Sequence, residues 1–156
     1  MTTTNEQIEI LEKALLACQN AGQKQIGWKL GFGSPAALKS LNTSKPLIGG
    51  LFDTGELKSG STTDVSNMTK PCIEAEIAAY ISSDIPENAA ENQIIESVAS
   101  LVPAIELVDF HTAPSDPETI LTDNIFQRGW VMLPSLENGW ASGAKGLEIH
   151  ISQGNE

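Results

Sequence analysis

Glu74 and Glu76 sit one residue apart in a run that is otherwise apolar, Pro71-Cys72-Ile73-Glu74-Ala75-Glu76-Ile77-Ala78-Ala79-Tyr80-Ile81. Carboxylates rarely enter such surroundings alone, so two in one short run call for a compensating charge. A third glutamate, Glu106, lies in a similar setting, Leu101-Val102-Pro103-Ala104-Ile105-Glu106-Leu107-Val108. On a strand, side chains two apart share a face, which points Glu74 and Glu76 the same way. On a helix they would diverge by roughly 200 degrees. The strand reading makes a two-carboxylate claw for a cation, and Glu106 could complete the metal site. A duller reading stays open beside it: an edge strand with both glutamates wet and Ile73, Ala75 and Ile77 inside.

The elements that must position these residues follow from periodicity. Ile8, Leu11, Leu15 and Cys18 recur at helical spacing, so Asn5 to Asn20 reads as an amphipathic helix ending near Gly22. A strand follows over Gln25 to Leu30, then a short helix over Pro35 to Leu41, with Ser34 as its cap and proline in its first turn. Leu47 to Phe52 and Ile73 to Ile81 read as strands across a polar, Ser/Thr-rich stretch. Ala89 to Ser100 carries Ile94, Ile95, Val98 and Leu101 on one helical stripe, and Val102 to Val108 resumes a buried strand. Asp109 to Glu118 holds two prolines and reads as an exposed, mobile loop before a strand at Arg128 to Leu133. A turn at Asn138-Gly139 leads to a last strand at Leu147 to Ile151.

Composition narrows the class. The 156 residues fit one domain with a modest core. Twenty acidic against nine basic side chains give a net charge of -11, which disfavours nucleic acid and anionic membranes as partners. No apolar stretch matches a bilayer-spanning helix, and the amino terminus lacks a basic region followed by an apolar one, so the expected location is the cytoplasm. Cys18 and Cys72 are too few and too far apart for a disulfide framework or a zinc motif, and are expected to be reduced and partly buried.

A competing motif is Gly31-Phe32-Gly33-Ser34-Pro35-Ala36, which fits a dinucleotide fingerprint, with Asp53 about twenty residues on. The helix it opens is too short for a normal crossover between parallel strands, and Lys29 interrupts a strand that should then be wholly apolar. The nucleotide reading is therefore disfavoured.

Five blocks, in order, carry a family resemblance: Gly27-Trp28-Lys29-Leu30-Gly31, Pro46-Leu47-Ile48-Gly49-Gly50-Leu51, Ile73-Glu74-Ala75-Glu76-Ile77, Pro103-Ala104-Ile105-Glu106-Leu107-Val108-Asp109 and Thr122-Asp123-Asn124. Together they resemble the fumarylacetoacetate hydrolase superfamily, within it the 2-oxopent-4-enoate hydratase and 4-oxalocrotonate decarboxylase branch. The resemblance implies an α+β fold: a mixed β-roll or sandwich of that superfamily's catalytic-domain type with short flanking helices. It would form a single domain over 1–156, with residues 1–24 its N-terminal helix and 25–156 a partial catalytic β-roll, incomplete at its C-terminal end. It further implies that Glu74, Glu76 and Glu106 bind Mg2+ or Mn2+, that Lys29 is the active-site lysine, and that Asp123 and Asn124 contact substrate. The substrate would be a small unsaturated 2-oxo acid, chelated through its carboxylate and keto oxygens, so that enolate charge is stabilised. Hydration and decarboxylation share that electron sink.

Departures bear on which reaction is run. Hydrolytic members place a histidine upstream of the metal motif, and none precedes Glu74 here, which disfavours an acylpyruvate-type hydrolase. Phe110-His111 and Ile125-Phe126-Gln127-Arg128 stand where the hydratase branch has a Ser-Arg pair and small residues leading to a glycine. His111 is a candidate acid or base or a surface residue; His150 is a weaker candidate. Family members extend well beyond the point matching Glu156. Three expectations follow: a fragment, a homo-oligomer in which another subunit supplies the missing surface, or a non-catalytic homologue serving as a binding or oligomerisation module.

Overall fold

The computed structural model describes residues 4–133 and Ser152. The expected final turn and strand, and His150 with them, lie outside the described residues. Helix α1 spans Thr4–Asn20, β1 Gln25–Gly31, α2 Pro35–Leu41, β2 Leu47–Phe52, β3 Pro71–Ile81, α3 Glu91–Ser97, β4 Val98–Asp109, α4 Pro117–Thr122 and β5 Gln127–Met132. The strands form two open sheets, β1-β2 and β3-β4-β5, so the α+β expectation holds. The chain divides into two compact units, one of Met1–Ile73 with Leu107–Trp130 and one of Glu74–Glu106 with Val131–Glu156.

The first unit is built on the antiparallel β1-β2 pair, in which Lys29 faces Gly49, Trp28 faces Gly50 and Gly31 faces Leu47. An antiparallel pair cannot be the strand-helix-strand crossover of a dinucleotide fold, so the Gly31 to Ala36 fingerprint is a turn into a seven-residue helix. Its geometry follows local chemistry: Ser34 Oγ accepts from the Ala37 N–H at 3.2 Å, and Asn42 closes the helix in the left-handed region at φ 52. Asp53, the would-be ribose ligand, accepts from the Lys24 N–H at 3.0 Å and the Thr54 N–H at 2.9 Å. The apolar stripe of α1 buries Leu11 and Leu15 against Phe52. A larger core joins Leu41, Leu47, Val108, Ile120, Leu121, Ile125 and Phe126.

The stretch expected as an exposed loop to Glu118 is shorter than read, because α4 begins at Pro117. Asp116 caps it, accepting from the Thr119 N–H at 2.9 Å and the Thr119 hydroxyl at 2.8 Å, with proline at the first helical position. The Asp-Pro start was readable as a cap, but Ile120 and Leu121 are too few to display a helical period.

In the second unit, α3 ends at Ser97 rather than Ser100, and Val98 to Ser100 belong to β4. β-branched Val98 takes extended dihedrals of φ -85 and ψ 112 at the helix end. Gln93 secures the helix start by accepting from the Ala90 N–H at 2.9 Å. At the far end of β3 the Ser82 N–H donates to Ser97 O at 2.8 Å. In the first unit the Phe110 N–H donates to Lys70 O at 3.1 Å, so the start of β3 meets the end of β4 and the strands run antiparallel.

Candidate metal centre

Glu74 and Glu76 lie two residues apart on β3, so they share a face, and Glu106 lies on β4, the neighbouring strand. The three side chains each bring a carboxylate oxygen to within 4.8 Å of the others, all inside the second unit. Glu74 and Glu76 open to solvent, whereas Glu106 is buried at 7% exposure. Glu106 is buried beside the Glu74 and Glu76 carboxylates, an arrangement whose like charges a bound cation would neutralise. Adjacent oxygens on a magnesium octahedron stand about 3 Å apart and opposite ones about 4.2 Å, so a ceiling of 4.8 Å lies within reach of small side-chain rotations. Three hard carboxylate donors suit Mg2+, Mn2+ or Ca2+ and leave positions for water and a bidentate ligand.

The wet-edge alternative holds in part, since β3 is at the edge of its sheet and both of its glutamates open to solvent. It departs in its other half, which places Ile73 and Ile77 inside: they are 74% and 49% exposed.

Lys29 belongs to the first unit and also reverses its duller reading, that of a solvated residue between packed neighbours. It is only 9% exposed, while Trp28 and Leu30 are 61% and 66% exposed. Its ammonium donates to Ile125 O across a long 3.5 Å. Space for its stem comes from Gly49 opposite: a Cβ there would stand 3.1 Å from Lys29 Cγ and 2.7 Å from Asn124 Oδ1.

Asp123 and Asn124 are placed by the end of α4. Asp123 takes Arg128 at 2.8 Å and 3.4 Å through its two oxygens. Arg128 also lies 3.2 Å from His111 Nδ1, and the His111 ring meets Phe126 edge-on at 5.6 Å. His111 therefore has fixed contacts rather than the freedom of a mobile loop. Asn124 clamps Gly50: its Oδ1 accepts from the Gly50 N–H at 2.8 Å and its Nδ2 donates to Gly50 O at 2.9 Å.

Asn124, Ile125 and Phe126 form a single left-handed turn, at φ 48, 56 and 60. Each non-glycine residue there costs about 1–2 kcal/mol, so the turn persists only because Asn124 clamps it and Ile125 and Phe126 are buried. Nothing in the sequence announced this, since a β-branched isoleucine argues against a positive φ. Arg128 was equally silent. The Gly49-Gly50 pair was the one available signal, a place where other groups approach the backbone closely.

Asp109, at the end of β4, accepts from the Thr69 and Lys70 N–H groups at 3.2 and 2.7 Å. The Lys70 N–H is the main cause holding its carboxyl below the usual carboxylate range, with Thr69, Arg128 and His111 adding to it. Cys18 and Cys72 are free thiols and partly buried, as expected, and burial pushes the Cys18 thiol up.

The described residues thus form an α+β arrangement of two open sheets, one of which carries a cluster of three carboxylates that could hold a metal ion. No protein-family profile matches the chain. It is 34% identical over 89 residues to a 2-keto-4-pentenoate hydratase of Burkholderia vietnamiensis, covering 56% of this chain and 34% of the relative. It is 24% identical over 132 residues to a 4-oxalocrotonate decarboxylase of a Pseudomonas species, covering 83% of this chain and 52% of that one. The solved 4-oxalocrotonate decarboxylase of Pseudomonas putida G7, complexed with magnesium and adipate, superposes with a TM-score of 0.73 at 22% identity, over 83% of this chain and 51% of that one. The same enzyme with calcium and acetate gives 0.72. The resemblance drawn from the five blocks, to the hydratase and decarboxylase branch of the fumarylacetoacetate hydrolase superfamily, is borne out. The chain spans between 34% and 52% of the length of these two curated relatives.

Proposed function

We propose that this chain carries the divalent-metal site of a lyase of the 2-keto-4-pentenoate hydratase type, acting on a small unsaturated 2-oxo acid. The observation that supports it most is the convergence of Glu74, Glu76 and Glu106 oxygens within 4.8 Å. These three would hold Mg2+ or Mn2+, which when bound polarises a chelated keto oxygen as a Lewis acid. Lys29, the proposed active-site lysine, supplies a compact positive charge for a substrate carboxylate or a developing oxyanion. Asp123, which holds Arg128, and Asn124, at the turn that follows α4, are the other proposed site residues. We read residues 25–156 as part of one catalytic β-roll, assembled as a homo-oligomer in the cytoplasm. Among the described residues no helix is long and apolar enough to cross a membrane.

Two other readings have specific support. Decarboxylation of a 2-oxo acid is favoured by the relatives of that name. A non-catalytic homologue that carries only the cation site of Glu74, Glu76 and Glu106 is the other. Hydrolysis keeps no histidine upstream of Glu74 to support it.

The test is exchange of the protons beside the ketone of a 2-oxo acid into deuterated water, with magnesium present. Glu76→Ala abolishes exchange together with metal binding. Lys29→Met keeps the metal but slows exchange about a hundredfold, the scale for losing one electrostatic contact to a developing oxyanion. No exchange by folded, metal-loaded wild type overturns the lyase reading in favour of the non-catalytic one.

A further inference from the structure

We propose that Asn124 is a positioning residue for Lys29, acting through the left-handed turn Asn124–Phe126; the inference rests on the reading of Lys29 as the active-site lysine. All the groups involved lie in the first unit. Three consecutive non-glycine residues in the left-handed region form an arrangement that local preference opposes, so surrounding contacts must impose it.

Asn124 imposes it from one end. Its amide engages both backbone groups of Gly50, the N–H at 2.8 Å and the carbonyl at 2.9 Å. Asparagine is also among the side-chain-bearing residues that best tolerate this conformation. Phe126 anchors the other end, being fully buried against the rings of Phe110 and His111.

Between the anchors, Ile125 presents its carbonyl to the Lys29 ammonium at 3.5 Å. Two glycines keep the space clear. A Cβ at Gly31 would stand 2.7 Å from Ile125 Cγ2, and one at Gly49 would stand 2.7 Å from Asn124 Oδ1 and 3.1 Å from Lys29 Cγ. The lysine stem and the turn are thus packed as one assembly over β1 and β2. The Asn124 amide is engaged by Gly50 at both its oxygen and its nitrogen, and its nitrogen also donates to Gln127 Oε1 at 3.4 Å, so Asn124 acts through Lys29 rather than on substrate.

The experiment is trace acetylation with acetic anhydride, with the Lys29 rate read by peptide mass mapping against exposed Lys24, Lys39 and Lys45. Asn124→Gly removes the clamp while keeping a residue that accepts positive φ. Lys29 in that variant is expected to react about tenfold faster relative to the reference lysines, the scale of losing a paired backbone clamp. Proton exchange slows in parallel, while magnesium affinity stays at the wild-type value. Asn124→Asp keeps the acceptor for the Gly50 N–H and falls between the two. All measurements are made well below the unfolding midpoint of each variant. Unchanged Lys29 reactivity in folded Asn124→Gly overturns the proposal; should that variant fail to fold, unchanged reactivity in Asn124→Asp does so. Faster labelling with no exchange in wild type supports the positioning of Lys29 and overturns the lyase reading alone.

Discussion

Replacing Gly49 with alanine sets two opposing effects against each other at the point where β2, Lys29 and the left-handed turn meet. Gly49 does not occupy the left-handed region, so alanine is conformationally acceptable there. By restricting the unfolded chain, the change by itself would stabilise the protein by about 0.4–1 kcal/mol. Against this, the new methyl would stand 2.7 Å from Asn124 Oδ1, 3.1 Å from Lys29 Cγ and 3.3 Å from Ile125 Cδ1. Lysine alone could move aside cheaply, but Asn124 is tied to the Gly50 backbone and Ile125 is buried in the core. Overpacking of this kind costs about 1–3 kcal/mol. Displacing Asn124 also weakens two hydrogen bonds of about 1 kcal/mol each. The steric side wins, and Gly49→Ala is expected to lose about 2–4 kcal/mol. Urea unfolding followed by circular dichroism measures it, with an unchanged denaturant slope showing that the unfolded state is the same. A variant as stable as wild type, or more so, would refute the packing argument, because the backbone gain would then be the only effect operating.

Glu106→Gln should leave a folded protein that no longer gains thermal stability from magnesium. Wild type at a hundredfold excess over its dissociation constant gains about 2.7 kcal/mol by mass action; an equal rise in the variant, with sodium chloride matching ionic strength, counts against the metal site. Asp109 gives a pH signature. Its folded carboxyl titrates below its unfolded value, so its contribution is full above about pH 4 and lost as pH falls through the depressed folded value. Stability of Asp109→Asn should therefore fall less steeply than wild type on acidification in that range; parallel pH profiles would show that the Lys70 and Thr69 contacts do not carry the shift.

Much of the scaffold is legible in residue order. Ser34-Pro35 sets the start of α2, and the strand boundaries of β2 match the apolar run Leu47 to Phe52, because caps and alternation are local properties. The spacing of Glu74 and Glu76 fixed their common face once β3 was a strand, and the order of the five blocks carried the resemblance to hydratases and decarboxylases that the comparisons also find. What local pattern missed was α4, too short to show a period, and the end of α3, where β4 takes over from Val98.

Which of these residues meet was decided only in three dimensions. That Glu106 joins Glu74 and Glu76 depends on the pairing of β4 with β3, which brings together residues about 30 positions apart in the chain. That Lys29 is buried while Trp28 and Leu30 face outward reverses what their polarity suggests, since side-chain direction on a strand follows its pairing and its packed face. The left-handed turn at Asn124 to Phe126 is the clearest case: local preference opposes it, and it exists because Gly50, 74 residues away, supplies both hydrogen bonds that hold it. Composition and spacing determined which residues are able to do chemistry; long-range strand pairing and packing decided which of them are brought together, because neither is encoded in any short stretch of the chain.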